Sequence, residues 1–177
     1  NNLVAIKHSP EFATNKSPNT PTNRILTSLF SHERLAFILK YAIIYVKETG
    51  GIEKQIMRYP QIFASKAIQK KLDSNIKKGI IWHTQGSGKT ALAAYNVRCL
   101  IDYFQKRNII PKFYFIVDRI DLMNQAAQEF TIRGLTVHTV NSKDGLQKSF
   151  RQKKALHNLK GSPEITVVNI QKFKEDT

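Results

Sequence analysis

The chain has 177 residues, of which 41% are hydrophobic, and its 28 Lys and Arg outnumber 13 Asp and Glu to give a formal net charge of +15. The apolar fraction excludes intrinsic disorder, and no apolar run approaches the roughly 18 residues of a membrane span. Residues 1–10 lack a secretory signal pattern, and the single cysteine, Cys99, excludes a disulfide framework, so we expect a cytoplasmic protein. The positive charge favours a polyanionic partner, most commonly nucleic acid, over an anionic membrane or an acidic protein.

The N-terminal part of the sequence predicts a linker and then a helix. Three prolines among Ser, Thr and Asn mark a linker, and we assign residues 1–23 to it or to the remnant of a preceding region. Ser31 is the expected N-cap of a helix that Gly50-Gly51 would end. Residues 24–57 are therefore expected to be a helical connecting segment. Its apolar residues recur at helical spacing: Leu35, Ile38, Leu39, Ala42, Ile43 and Val46.

From Pro60 onward the pattern predicts alternating helices and strands. The expected elements are a helix over 60–72, a strand over 79–83, a helix over 89–105, a strand over 113–117, a helix over 121–133, a strand over 135–140, a basic helical or irregular stretch over 143–159 and a strand over 165–170. Nearly continuous apolar strands separated by helices indicate an α/β fold with a parallel sheet and flanking helices.

The residues between the first expected strand and the next helix have the pattern of a phosphate-binding loop. The stretch HTQGSGKT, residues 83–90, differs from G-x-x-x-x-G-K-[ST] only in its first position, where His83 is expected to be structural. Glycines let the backbone N–H groups surround a phosphate, and the following helix adds its positive end. The expected nucleotide-binding residues are Gln85, Gly86, Ser87, Gly88, Lys89 and Thr90. Lys89 would contact the β- and γ-phosphates and Thr90 would join the Mg²⁺ shell; the alternative is an incidental glycine-rich turn.

Asp118 is the acidic residue that could hold the magnesium ion of a bound nucleotide, because it ends the apolar strand over 113–117. The following residue is Arg119, so no second acid is present there to orient a water molecule. If Asp118 holds the magnesium ion, the sequence favours a P-loop kinase or GTPase.

Four blocks stand out between about Thr22 and Phe173. They are Arg58-Tyr59-Pro60-Gln61 with Phe63-Ala64, Ile81-Trp82-His83-Thr84-Gln85-Gly86-Ser87-Gly88-Lys89-Thr90, Val117-Asp118-Arg119-Ile120-Asp121-Leu122 with Gln125, and Asn169-Ile170-Gln171-Lys172-Phe173. In this order, and with the unusual histidine in the second block, they resemble the restriction subunit of type I restriction-modification enzymes, at the start of its motor.

The resemblance implies a superfamily 2 DNA translocase that uses ATP and Mg²⁺. Residues 58–177 would form the first part of a RecA-like P-loop lobe, incomplete because it lacks the Walker B strand. Gln61 would recognise the adenine edge with Arg58 nearby, and Arg119 would contact DNA or its own motif, unless it forms only an ion pair. The implied partners are double-stranded DNA and the methylation and specificity subunits.

Further basic residues are candidates for DNA contact because they flank the expected strand end at 170, where open parallel sheets bind ligands: Arg151, Lys153, Lys154 and Lys172. The family's nuclease site, with its Glu-x-Lys element, has no match in this sequence. The resemblance also implies an acidic Walker B motif and a second RecA-like lobe with an arginine-bearing motif, none of which has a match here, so we expect the chain to bind ATP but to hydrolyse it negligibly, as part of an ATP-dependent type I deoxyribonuclease. The alternatives are the kinase or GTPase and a non-catalytic module for subunit interaction.

Overall fold

The computed structural model describes residues 30–140, 142–151 and 163–171. The expected linker over 1–23 lies outside these ranges, as do Lys153, Lys154 and Lys172. No helix in the described part of the chain is long and apolar enough to cross a membrane. The elements are α1 (His32–Phe37), a π-helical turn (Ile38–Ala42), β1 (Ile43–Glu48), β2 (Gly51–Ile56), α2 (Tyr59–Asp73), α3 (Lys89–Gln105), β3 (Tyr114–Val117), α4 (Ile120–Ile132), β4 (Thr136–Val140), α5 (Lys143–Arg151) and β5 (Glu164–Asn169).

The expected helix after Ser31 is correct only as far as Ala42, and the prediction of helix beyond that point is wrong. β1 and β2 form an antiparallel hairpin in which Ile43 pairs with Ile56 and Glu48 pairs with Gly51. Thr49 and Gly50 form the turn of this hairpin, so no helix ends here, and Gly51, the first residue of β2, has a φ of +129°. Four consecutive β-branched or aromatic residues, from Ile43 to Val46, favour a strand as soon as a partner strand is available.

The helix expected over 60–72 is confirmed as α2, but the strand expected over 79–83 is not formed. Residues 75–88 contain turns and irregular backbone only. Ile80 and Trp82 are almost fully exposed. A strand is stabilised by hydrogen bonds to a neighbouring strand, and no described strand lies beside this segment.

The remaining strands form the expected parallel sheet, in the order β3-β5-β4. Val117 of β3 pairs with Asn169 of β5, and Val140 of β4 pairs with Val168. The helices expected before β3 and between β3 and β4 are confirmed as α3 and α4. The basic stretch over 143–159 is helical as far as Arg151, and the rest of it lies outside the described residues. The α/β architecture is thus confirmed and is consistent with a partial RecA-like lobe.

Helices contact both faces of the parallel sheet, α4 more extensively than α5, and Ile116 of β3, on the α5 side, stays more than half exposed. Phe115 of β3 makes an edge-to-face contact with Phe130 of α4, at 5.1 Å between ring centroids. The preceding residue, Tyr114, stacks instead against Phe150 of α5 at 4.7 Å. Because successive side chains of a strand point to opposite faces, α4 and α5 lie on opposite sides of the sheet.

A second apolar cluster joins the hairpin to helix α3. Ile44 and Val46 of β1 are buried against Tyr95 and Cys99 of α3. Burial raises the pKa of the Cys99 thiol to about 12, as expected for a cysteine that serves only in packing. The hairpin is therefore packed on the helix that follows the glycine-rich loop.

Polar contacts supplement this packing at the open end of the hairpin, opposite its turn. Asp102 of α3 accepts hydrogen bonds from Lys40 Nζ at 2.8 Å and from the Tyr41 hydroxyl, both in the π-helical turn. Arg133, buried after α4, donates to Gln55 Oε1 of β2 at 3.1 Å. Residues 32–57 are thus attached to two helices of the α/β unit.

Candidate nucleotide-binding site

A glycine-rich turn lies directly before helix α3. Gly86 and Gly88 have φ angles of +73° and +78°, in the left-handed region that glycine adopts without steric cost. Gly88 is also the N-cap of α3, so the turn leads into the positive end of a 17-residue helix. Left-handed glycines of this kind let a chain direct its N–H groups inward around an anion.

The side chain of Lys89 folds back over this turn. Its Nζ donates to the carbonyl oxygens of Thr84 at 2.9 Å and of His83 at 3.3 Å. The Ser87 N–H also donates to the Thr84 carbonyl, at 3.3 Å. The loop thus closes around a positive charge.

Two polar atoms of the loop are buried without a hydrogen-bond partner among the described residues, the Ser87 hydroxyl and His83 Nδ1. Buried polar groups are usually paired, so an unpaired hydroxyl at a helix start indicates a missing ligand. A phosphate oxygen would accept the hydrogen bond from Ser87. With the left-handed glycines and the lysine, these residues fit a bound triphosphate.

Gln61 lies against the same loop although it is 27 residues away in the sequence. It belongs to the first turn of α2, is 4% exposed, and accepts a hydrogen bond at Oε1 from the Arg58 N–H at 2.8 Å. Its Nε2 donates to the Gly88 carbonyl at 3.0 Å. A Cβ at residue 88 would lie 2.7 Å from this nitrogen, so a side chain there would displace the Gln61 amide in addition to straining the left-handed backbone. The fold therefore brings together the two stretches from which nucleotide-binding residues were predicted.

Two of the other expected nucleotide ligands belong to the loop and the helix start, and the third candidate, Asp118, follows β3. Gln85 is exposed on the loop, and Thr90 is half-buried in the first turn of α3. Asp118 is also exposed. No three His, Cys, Asp or Glu side chains of the described ranges group together as a metal site.

The candidate DNA-contact residue Arg119 is engaged within its own motif. It is the N-cap of α4, and its Nε donates to Asp121 Oδ1 at 3.1 Å. The hydrogen bond from Arg119 lowers the pKa of the Asp121 carboxyl. Both side chains are exposed, so the pair leaves the guanidinium accessible to solvent.

The placement of Arg151 differs from the expectation. This residue ends α5, where Ser149 bonds to the Tyr114 hydroxyl at 2.9 Å and Phe150 stacks on the same ring. Tyr114 is the first residue of β3. Arg151 is consequently near the amino ends of the parallel strands, not the carboxyl ends, because the helix runs back across the sheet before β5.

Asn169 is a buried polar residue to which the sequence analysis gave no role. It ends β5 beside Val117, and its Oδ1 accepts a hydrogen bond from the Gln171 N–H at 2.8 Å. Its Nδ2 is buried without a partner among the described residues. A polar residue that ends an apolar strand is the signal that could have identified it as a candidate site residue.

Residues 60–177 match the family model described as SWI2/SNF2 ATPase. The chain is 37% identical over 100 residues to the putative type I restriction enzyme MjaVIIP endonuclease subunit of Methanocaldococcus jannaschii, covering 51% of this chain and 9% of that protein. It is 36% identical over 93 residues to the type I restriction enzyme SauCOLORF180P endonuclease subunit of Staphylococcus aureus, and this match covers 52% of the chain and 9% of that protein. It is 27% identical over 117 residues to the type I restriction enzyme HindI endonuclease subunit of Haemophilus influenzae, and this match covers 60% of the chain and 11% of that protein.

The matched segments span about a tenth of the length of these relatives, all of which are named as endonuclease subunits of type I restriction enzymes. These matches confirm the resemblance that the four blocks indicated, to a segment of the restriction subunit of type I enzymes. Nothing in these comparisons favours a kinase or a GTPase. Since the family model covers well over half of the sequence, the chain belongs to the SWI2/SNF2 ATPase family.

Proposed function

We propose that this chain is the ATP-binding part of the motor of a type I restriction enzyme, within the restriction subunit that translocates double-stranded DNA before cleavage. The observation that carries the proposal is the loop of left-handed glycines at the start of α3, with Lys89 folded over it and Gln61 bonded to it. The names of the relatives support the assignment to restriction enzymes. The whole protein would act in the cytoplasm as an ATP-dependent deoxyribonuclease, together with methylation and specificity subunits.

Each loop residue has a role in this proposal. The backbone N–H groups of residues 85–88 bind the phosphates, and the Ser87 hydroxyl donates to one of their oxygens. Lys89 leaves the Thr84 carbonyl to pair with the β- and γ-phosphates, and Thr90 contributes its hydroxyl to the Mg²⁺ shell. When bound with the nucleotide, a magnesium ion would neutralise part of the negative charge of the phosphates.

Gln61 recognises adenine in this proposal. A side-chain amide has two donor hydrogens and two acceptor lone pairs, and the contacts to Gly88 and Arg58 each use one. The remaining donor and acceptor match N7 and the exocyclic amino group of adenine. The Arg58 side chain is exposed beside it and would contact the nucleotide from outside.

DNA contact and hydrolysis would depend on the rest of the motor. We assign Arg119, Lys153, Lys154 and Lys172 to contacts with the DNA backbone, and Arg151 to a more distant part of the same basic surface. The isolated chain would bind ATP but hydrolyse it negligibly, because arginine-finger-type groups alone account for about 10³–10⁵ in rate and the resemblance puts them in a second lobe.

The test is equilibrium binding of ATP and GTP, each with Mg²⁺, to the wild type and to Lys89→Ala. We expect ATP to bind more tightly than GTP, and the substitution to weaken both by at least about tenfold, because charge-assisted bonds to phosphate contribute about 1.5–3 kcal/mol each.

Lys78→Ala is the matched control, since Lys78 is an exposed lysine that precedes the loop. It should leave the affinity nearly unchanged. Equal effects of the two substitutions would contradict a phosphate site at Lys89. Failure of the wild type to bind either nucleotide would instead favour the non-catalytic module for subunit interaction.

A further inference from the structure

Building on the proposed ATP site, we propose that Gln61 is also a positioning residue for the phosphate loop, and that it sets the shape of the loop whether or not a base is bound. Its amide is buried, and it connects the start of α2 to the carbonyl of Gly88. Recognition of adenine and the geometry of the phosphate site would then depend on one side chain.

The geometric argument starts from the Gly88 carbonyl. This oxygen accepts the Gln61 amide at 3.0 Å and also the Leu92 N–H of the first helical turn at 2.9 Å. A peptide unit is planar and trans, so fixing its C=O also fixes the direction of the N–H that follows. That N–H belongs to Lys89, the first residue of α3. Gln61 thereby orients a donor at the point where the helix meets the phosphates.

The close approach at Gly88 indicates that the contact is built into the fold. Gly88 has a positive φ, and its missing Cβ would lie 2.7 Å from Gln61 Nε2. The loop therefore requires glycine at this position for its backbone conformation and also for the contact with the amide.

Two substitutions separate the possible roles of Gln61. Gln61→Glu keeps an oxygen to accept the Arg58 N–H, so the start of α2 is preserved, but it loses the donor to the Gly88 carbonyl. Gln61→Ala loses both contacts. Gln69→Ala is the matched control, because Gln69 is a half-buried glutamine two turns further along α2.

The experiment uses the intact protein and two measurements that involve no base. The first is the affinity for inorganic tripolyphosphate with Mg²⁺ at pH 8, and the second is amide hydrogen exchange of peptides covering residues 84–92 without ligand. Gln61→Ala should bind tripolyphosphate at least about fivefold more weakly, as expected when hydrogen bonds that hold the site are lost. Gln61→Glu serves the exchange measurement only, because its carboxylate repels the anion by itself. The loop amides of both Gln61 variants should exchange faster than those of the wild type and of Gln69→Ala.

Unchanged exchange in the loop of both Gln61 variants would overturn the proposal, whatever the nucleotide affinities. So would an unchanged tripolyphosphate affinity together with a lost preference for ATP over GTP, because Gln61 would then contact only the base. If Lys89→Ala left tripolyphosphate binding unaltered, the proposed ATP site itself would be wrong. The exchange measurement would still decide whether Gln61 holds the loop.

Discussion

Asp102 is the residue on which the contacts between the π-helical turn and α3 converge. Its carboxylate bonds to Lys40 and Tyr41, and it also forms an ion pair with Lys106 at 3.1 Å. The hydrogen bonds from Lys40 and then from Tyr41 hold the pKa of this carboxyl well below its usual range. A carboxyl with a lowered pKa in the folded state contributes stability above its ordinary pKa and loses that contribution as the pH falls through the folded value.

We expect Asp102→Asn to lower the free energy of unfolding by about 1 kcal/mol at pH 7, because it removes a charge-assisted contact that is partly screened by solvent. The difference between variant and wild type should shrink below about pH 4, where the carboxyl of the unfolded chain takes up its proton. Urea unfolding at pH 7 and at pH 3 measures both quantities.

Asp73→Asn serves as the control for this comparison. Asp73 accepts from the Tyr103 hydroxyl at 2.7 Å and from Arg107 at 3.0 Å, but it is more exposed than Asp102. Its loss should change stability by less than about 0.5 kcal/mol. An equal effect of the two substitutions would show that Asp102 has no special part in attaching the π-helical turn.

The sequence identified the residues of the loop more completely than their contacts. Lys89 and the two glycines follow from local spacing, because the phosphate loop is a continuous stretch whose geometry is encoded locally. The bond between Gln61 and Gly88 joins positions 27 residues apart, and no local pattern encodes it. The same holds for Arg151, whose position depends on the path of α5 across the sheet.

The hairpin is the element whose structure differs most from the sequence prediction. Apolar spacing from Leu35 to Val46 fits a helix, and the centre of β2 is a run of three polar residues, Glu53 to Gln55, that does not suggest a buried strand. Only the pairing of β1 with β2, together with the packing of one face on α3, makes the extended form favourable. In contrast, β3, β4 and β5 were predictable because their own sequences are apolar and β-branched.

Adjacent residues of β1 provide a test of this packing. Val46 is fully buried and Tyr45 is 64% exposed, since successive side chains of the strand point to opposite faces. We expect Val46→Ala to destabilise the protein by about 1–3 kcal/mol, through lost apolar burial and a cavity against α3. Thermal or urea unfolding measures the change.

Tyr45→Ala is the matched control and should stay within about 0.5 kcal/mol of the wild type. A helix over the same residues would also bury Val46 and leave Tyr45 exposed, so Ile44→Ala separates the two structures. In the hairpin Ile44 is buried and its loss should cost about as much as that of Val46, whereas the predicted helix has Ile43 on its apolar face and would tolerate Ile44→Ala. A larger loss for Tyr45→Ala than for Val46→Ala would contradict the register of the hairpin.

At the scale of the whole molecule, the net charge of +15 is the feature most relevant to DNA. Charge of this size attracts the phosphate backbone of any sequence, which suits a motor that moves along DNA without choosing a site. We expect duplex binding whose affinity falls steeply with salt, with a linear dependence of log K on log salt concentration.

The double variant Lys153→Ala/Lys154→Ala should reduce the magnitude of this salt slope by about two, because each lost phosphate contact removes about one. Fluorescence anisotropy with duplexes of two unrelated sequences provides the measurement. Lys70→Ala/Lys71→Ala is the control: it removes the same two positive charges, but from the exposed side of α2, and should leave the salt slope nearly unchanged. Identical slopes for the two double variants would remove Lys153 and Lys154 from the proposed DNA contacts.

The irregular segment before the phosphate loop gives the protein an intrinsic optical reporter. Trp82 is the single tryptophan of the chain, and its side chain is 90% exposed immediately before His83. A solvated indole emits at long wavelength, so the emission maximum of the protein reports the environment of this one segment. Any event that covers residues 79–83, such as the arrival of a neighbouring strand, would shift the emission to the blue without a label.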